Sequence, residues 1–96
     1  MTSLRKIVVY SLSGLSRDIF ELTRQFMAEG VKFVVVVGRD ASELEEVIDR
    51  VCIGDGTDPY EMLTASLEAC EGVAEAINLA NSMSNEYGHS VHVVEF

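Results

Sequence analysis

Two short loops hold most of the residue types that could do chemistry. The first is Ser11-Leu12-Ser13-Gly14-Leu15-Ser16-Arg17, which sets three hydroxyls, a glycine and an arginine within seven positions. It follows a β-branched run and precedes a helical pattern. Hydroxyls and backbone N–H groups at a helix N-terminus bind anions, and glycine lets a ligand come close. A guanidinium adds a charge-assisted contact. Ser11, Ser13, Gly14, Ser16 and Arg17 are therefore candidate ligands of a phosphorylated small molecule such as a nucleotide or sugar phosphate. The second loop is Gly54-Asp55-Gly56-Thr57-Asp58, followed by the one proline, Pro59. Gly54, Asp55, Gly56, Thr57 and Asp58 join the candidate set. Asp55 and Asp58 are hard oxygen donors of the kind Mg²⁺ accepts, although two carboxylates fall short of a full cation shell. Both loops have a plain alternative. Ser13 or Ser16 can cap a helix, Gly54 and Gly56 can supply positive φ in a tight turn, and Asp58 can cap the next segment.

Nothing else composes a reacting set, so no catalytic residue is assigned and the chain leans away from being an enzyme. His89 and His92 stand three apart in a β-like run, which points them to opposite faces. Cys52 and Cys70 lack the spacing of a zinc site or a disulfide scaffold. Cys52, inside an apolar run, reads as a small core residue. No Ser-His-Asp or Cys-His arrangement can be drawn, no G-x-G-x-x-G dinucleotide fingerprint is present, and no cofactor is specified.

Three local resemblances bear on these loops. Ser11 to Ser16 is similar to the phosphate loop of flavodoxins, which implies an anion site on Ser11, Ser13, Gly14 and Ser16. Ser11 to Arg17 also has the spacing of the C-x5-R loop of low-molecular-weight phosphatases. Serine stands here where that family needs its cysteine nucleophile, so its chemistry is not expected. Gly54 to Asp58 resembles the Gly-Asp-x-x-x-Asp magnesium motif of haloacid dehalogenase-like phosphatases. The second aspartate comes one residue early, and Tyr10-Ser11-Leu12 replaces the nucleophile motif. More widely, the Gly-Asp-Gly-x-Asp run, Leu63-Thr64 and the following Ala-Glu-Ala-Ile resemble a family of small uncharacterised bacterial Rossmann-like proteins. That resemblance covers about a third of the chain; it implies a fold and no activity.

The elements that must position the loops follow from hydrophobic period. Residues 5–10 are rich in β-branched types and read as a first strand ending at Ser11-Leu12-Ser13-Gly14. Leu15, Ile19, Leu22, Phe26 and Met27 recur at helical spacing, and Gly30 ends that helix. Residues 31–37 are apolar except for Lys32, as suits a strand covered on both faces. Asp40-Ala41-Ser42-Glu43 has the form of a capping box. Leu44, Val47, Ile48 and Val51 then predict a helix ending near Arg50, where Val51 either closes the helix or opens a short third strand over 51–53. Asp58-Pro59-Tyr60-Glu61 is good helix-start chemistry. Beyond it two readings stand: a helix carrying Leu63, Leu67, Cys70, Ala74 and Ile77, or a short strand over 62–67. A helix over 73–87 and a valine-rich last strand over 89–96 complete the chain.

Alternation of this kind predicts one α/β domain over residues 1–96, of the three-layer α/β/α class, Rossmann-like or flavodoxin-like. The sheet would be mainly parallel with four or five strands and right-handed crossovers. If strand one lay beside strand three, the two loops would meet at one sheet edge.

Composition bounds the function. Of 96 residues, 48% are hydrophobic and the formal net charge is −9. The first figure argues against disorder. The second disfavours nucleic acid and anionic membranes and suits a basic protein partner. Arg5-Lys6 before an apolar run loosely mimics a signal peptide, but the run is short and no small-residue cleavage site comes after it. A cytoplasmic protein is expected, and self-association is left open. A non-catalytic interaction or regulatory module leads, with the phosphorylated-ligand site as the rival.

Overall fold

The computed structural model describes residues 5–12, 14, 16–54, 56–57, 59–67, 72–83 and 90–96. Seven elements run in order: β1 (Arg5–Ser11), α1 (Asp18–Glu29), β2 (Phe33–Gly38), α2 (Ala41–Ile53), β3 (Leu63–Ser66), α3 (Val73–Ser82) and β4 (Ser90–Glu95). The four strands form one sheet in the order β3-β2-β1-β4, and every pairing is parallel. The expected α/β class is therefore the observed one.

Alternation along β1 and β2 sends apolar side chains to both faces of the sheet. Ile7, Val9, Val34 and Val36 pack beneath α1 and α2 with Ile19, Phe26, Leu44, Ile48 and Cys52. Val8, Phe33, Val35 and Val37 pack on the other face with Ala76 and Ala80 of α3. Residues 33–37 are buried along their whole run, as a central parallel strand requires. Two helices on one face and one on the other make the three layers.

Two of the expected helix signals hold. Gly30 takes φ 79° at the end of α1, where its N–H and that of Val31 bond back to Met27 and Phe26. Ser16 caps α1 from two residues ahead, its Oγ accepting the Asp18 N–H at 3.1 Å. At α3 the Glu75 carboxylate accepts the Gly72 N–H at 2.8 Å, half of a capping box. Among the described residues α3 ends at Ser82; the expected extension to 87 lies outside them.

Four expectations are corrected. Residues 51–53 are not a strand but the last turn of α2, because Cys52 continues the buried stripe of Leu44 and Ile48 at i+4 spacing. The third strand is Leu63–Ser66, paired with β2, which decides the ambiguity over 62–67 in favour of strand. Pro59-Tyr60-Glu61 does not start a helix. Tyr60 is instead tied down by two bonds, its N–H to Cys52 O at 2.7 Å and its hydroxyl to Val31 O at 2.7 Å. Finally, Asp40 precedes α2 but does not cap it through its side chain, because it sits in the left-handed region at φ 56°, whereas capping needs an extended residue.

Candidate functional site

In an open parallel sheet, ligands bind beyond the carboxyl ends of the strands, where the chain reverses direction across the sheet. Here the reversal falls between β1 and β4. β1, β2 and β3 step outward one way, and α3 then carries the chain back over the other face to β4. The carboxyl end of β1 is thus the natural ligand position, and the first candidate loop leaves from it.

That loop is closed on itself. Ser11 is buried, and its Oγ accepts the Gly14 N–H at 3.2 Å. Ser11 O accepts the Arg39 N–H at 3.0 Å, and the Leu12 N–H goes to Phe96 O at 2.7 Å. The Asp18 N–H is taken by Ser16. Gly14, at φ +82°, has Arg39 and Asp40 against it. A Cβ there would stand 2.5 Å from Asp40 Oδ2 and 3.2 Å from Arg39 Cγ. The space that a side chain would take at Gly14 is thus occupied by the Asp40 carboxylate and the Arg39 stem. Asp18 and Glu21 in the first turn of α1 add negative charge at the helix start. Arg17 is exposed at the same edge, as is Arg39. Ser13 lies outside the described residues.

The second candidate loop is elsewhere. Gly54, Gly56 and Thr57 follow α2 and precede β3, which places them at the amino ends of the strands, opposite to Ser11 and Gly14. The expected meeting of the two loops at one edge is corrected by this order, since β1 is bordered by β2 and β4, not β3. Gly54 at φ 59° and Gly56 at φ 85° close the end of α2, donating to Arg50 O and Ile53 O at 3.0 Å. Asp55 and Asp58 lie outside the described residues. Among those described, no three His, Cys, Asp or Glu side chains gather as a metal site.

Reacting groups are likewise unassembled. Burial, then the nearby Asp49 charge, raises the Cys52 thiol above its ordinary value, so it stays protonated and inert at neutral pH. Ser90 Oγ and His92 Nε2 lie 3.1 Å apart, but both are exposed on β4 with no described hollow over them. Cys70 and His89 lie outside the described residues.

Two hollows are lined by carboxylates, whereas a third, of about 400 Å³, has Lys32 over the Tyr60 ring together with Met27, Pro59 and Glu61. One of about 220 Å³ at the carboxyl ends of β2 and β3 is lined by Asp40, Ser42, Glu43 and Ser66 among others. A groove of about 340 Å³ runs between α1 and β4, with Leu22, Val94 and Phe96 along it and Asp18, Glu21 and Glu95 at its margin. The sequence reading missed this groove and the Asp40–Gly14 contact. Only strand order joins these segments, so no local signal pointed to them. No described helix is long and apolar enough to cross a membrane. No protein-family model, curated protein or solved structure matches this chain.

Proposed function

We propose that this domain is a non-catalytic interaction module that takes a basic protein partner on its acidic surface. The observation that carries this reading is the Asp40 carboxylate against Gly14. The fold's natural anion cradle is occupied by an anion of the chain's own, and its N–H donors at Gly14 and Asp18 already have acceptors. A phosphorylated ligand would have to displace Asp40 and then meet Asp18 and Glu21. A lysine- or arginine-rich surface meets Arg17 and Arg39 at this edge but finds Asp18, Glu21 and Asp40 beside them, and a net charge of −9 steers it inward. The chain's resemblance to small bacterial Rossmann-like proteins adds fold to this proposal and no activity.

The test is an amide NMR titration in two arms. One arm adds ATP, a sugar phosphate and FMN with Mg²⁺. The other adds a lysine-rich peptide at low and at raised salt. Salt-sensitive, saturable shifts with the peptide and none at Gly14, Ser16 and Arg17 with the anions are expected. Saturable anion shifts at those three residues would replace this reading with the phosphorylated-ligand one. Peptide shifts insensitive to salt would remove its electrostatic basis.

A further inference from the structure

The two edges of the sheet are finished differently. β3 is four residues long, and its outward-facing positions are Thr64 and Ser66. Their hydroxyls donate to Asp49 at 2.6 Å and Glu45 at 2.9 Å on α2. Such a short edge strand, its side chains tied to a helix, offers little to a further strand. β4 is six residues long and has no proline, lysine or arginine. Phe96 donates to Tyr10 O and accepts from the Leu12 N–H, so both its backbone groups face β1. Strand alternation turns those of Ser90, His92 and Val94 the same way. It turns the N–H and C=O groups of Val91, Val93 and Glu95 outward, with no acceptor or donor among the described residues. Unpaired backbone groups of this kind are a template for pairing.

Both faces beside this edge carry apolar side chains. On the α1 side lie Leu22, Val94 and Phe96 of the groove. On the α3 side, Tyr10 is 36% exposed, Val93 45% and Leu12 52%. The rim is negative. Asp18, Glu21, Leu22 and Gln25 form one i, i+3, i+4, i+7 stripe of α1 along the groove, and Glu95 closes its end. A second copy would bring the same carboxylates against these, like charge to like charge. A basic segment would not.

We infer that β4 is a docking edge, and that its occupant is an extended segment of a basic partner that adds as a fifth strand. Backbone bonds to Val91, Val93 and Glu95 hold the segment. Its apolar side chains fall alternately on the Leu22–Val94–Phe96 and Tyr10–Leu12–Val93 surfaces, and its lysines or arginines reach Glu21 and Glu95. This is strand addition at an exposed edge. It rests on the interaction-module reading and names the surface which that reading leaves open.

The probe is a nine-residue peptide with a central run of five valines and threonines flanked by two lysines at each end, so that apolar side chains reach both faces, compared with its lysine-to-glutamate counterpart. The readouts are amide exchange and affinity on the whole chain. On binding, the Val91, Val93 and Glu95 amides should gain protection, and the glutamate peptide should not bind. Val93→Pro removes an outward N–H without taking any bond from the β1 ladder; it should weaken binding at least about tenfold. Val93→Lys, on an exposed position, is the second blocking variant should the proline disturb the fold. Glu21→Lys and Glu95→Lys should each cost about two- to fivefold, more at low salt. Peptide binding with shifts confined to α2 and indifferent to both Val93 variants would overturn the docking edge and leave the interaction module standing. Absence of binding by any basic probe would overturn both. A dimer in sedimentation that both Val93 variants dissociate, with no peptide bound, would make the occupant a second copy and so refute the inference.

Discussion

Lys6 is the residue on which the packing of α3 can be tested most directly. It lies on the α3 face of β1, is 3% exposed, and donates from Nζ to Met83 O at 2.7 Å. Met83 is the residue that ends α3, where backbone carbonyls have no partner within the helix. The ammonium thus supplies a donor and a positive charge at the negative end of the helix dipole. A charge-assisted bond contributes about 1.5–3 kcal/mol, and a cation at a helix C-terminus about 0.3–1 kcal/mol more. Returning the ammonium to water offsets part of this, leaving about 2 kcal/mol for the head group. Lys6→Met keeps most of the buried stem and removes only the head. It should lower stability by about 2 kcal/mol, or a midpoint fall of about 8–16 °C for a domain of this length. Lys6→Ala also deletes about three buried methylenes and should cost about 4 kcal/mol in total. Urea unfolding of the three proteins, with hydrogen exchange at Ala80 and Ser82, measures both parts. A Lys6→Met protein as stable as the parent, with unchanged exchange at the end of α3, would refute the reasoning. The lysine would then be a spacer whose charge the fold merely tolerates.

Two other outcomes are expected from the described geometry. Gly38 has φ +106° and a Cβ there would meet Ser11 O at 2.5 Å, whereas Gly30 has φ +79° with open space around it. By thermal or urea unfolding, Gly30→Ala should cost about 1–2 kcal/mol for the left-handed backbone alone, and Gly38→Ala about 1–2 kcal/mol beyond that; equal costs would remove the close approach of β1 and β2 as a cause. At alkaline pH, Cys52 is raised from an ordinary value of 9.0 by burial and then by Asp49, and Tyr60 from 10.0 by burial and then by Cys52. Both groups hold their protons longer folded than unfolded. Their contribution is therefore complete below the ordinary values and is lost as pH rises through the raised ones. Urea midpoints should fall above about pH 9, and the slope should flatten in Cys52→Ala with Tyr60→Phe. An unchanged slope in that double variant would assign the loss to other groups.

Local sequence was enough for the class of the fold and most of its helices. Ile19, Phe26, Leu44 and Ile48 declare a buried helical face through their spacing. Residues 33–37 declare a central strand through unbroken apolar character, and Gly30 declares a helix end through its freedom at positive φ. These signals are set by backbone geometry and by the period of hydrophobic residues. Residues 51–53 and 62–67 were not legible in that way. Three apolar residues fit the end of a helix as well as a short strand, and 62–67 offer hydroxyls and small side chains that suit either. What decided them was pairing with β2 and the bonds from Thr64 and Ser66 to α2, which are long-range. The candidate site divided along the same line. Ser11, Gly14 and Ser16 could be read as a glycine turn with capping hydroxyls, and they are one. That Asp40 stands against Gly14, that Gly54 and Gly56 sit at the far end of the sheet, and that β4 is an outer strand among the described residues all depend on strand order. So does Lys6, a basic residue in an N-terminal run until α3 folds over β1 and brings Met83 to it. Strand order follows from which faces bury best together across the whole chain, and no window of the sequence contains that sum.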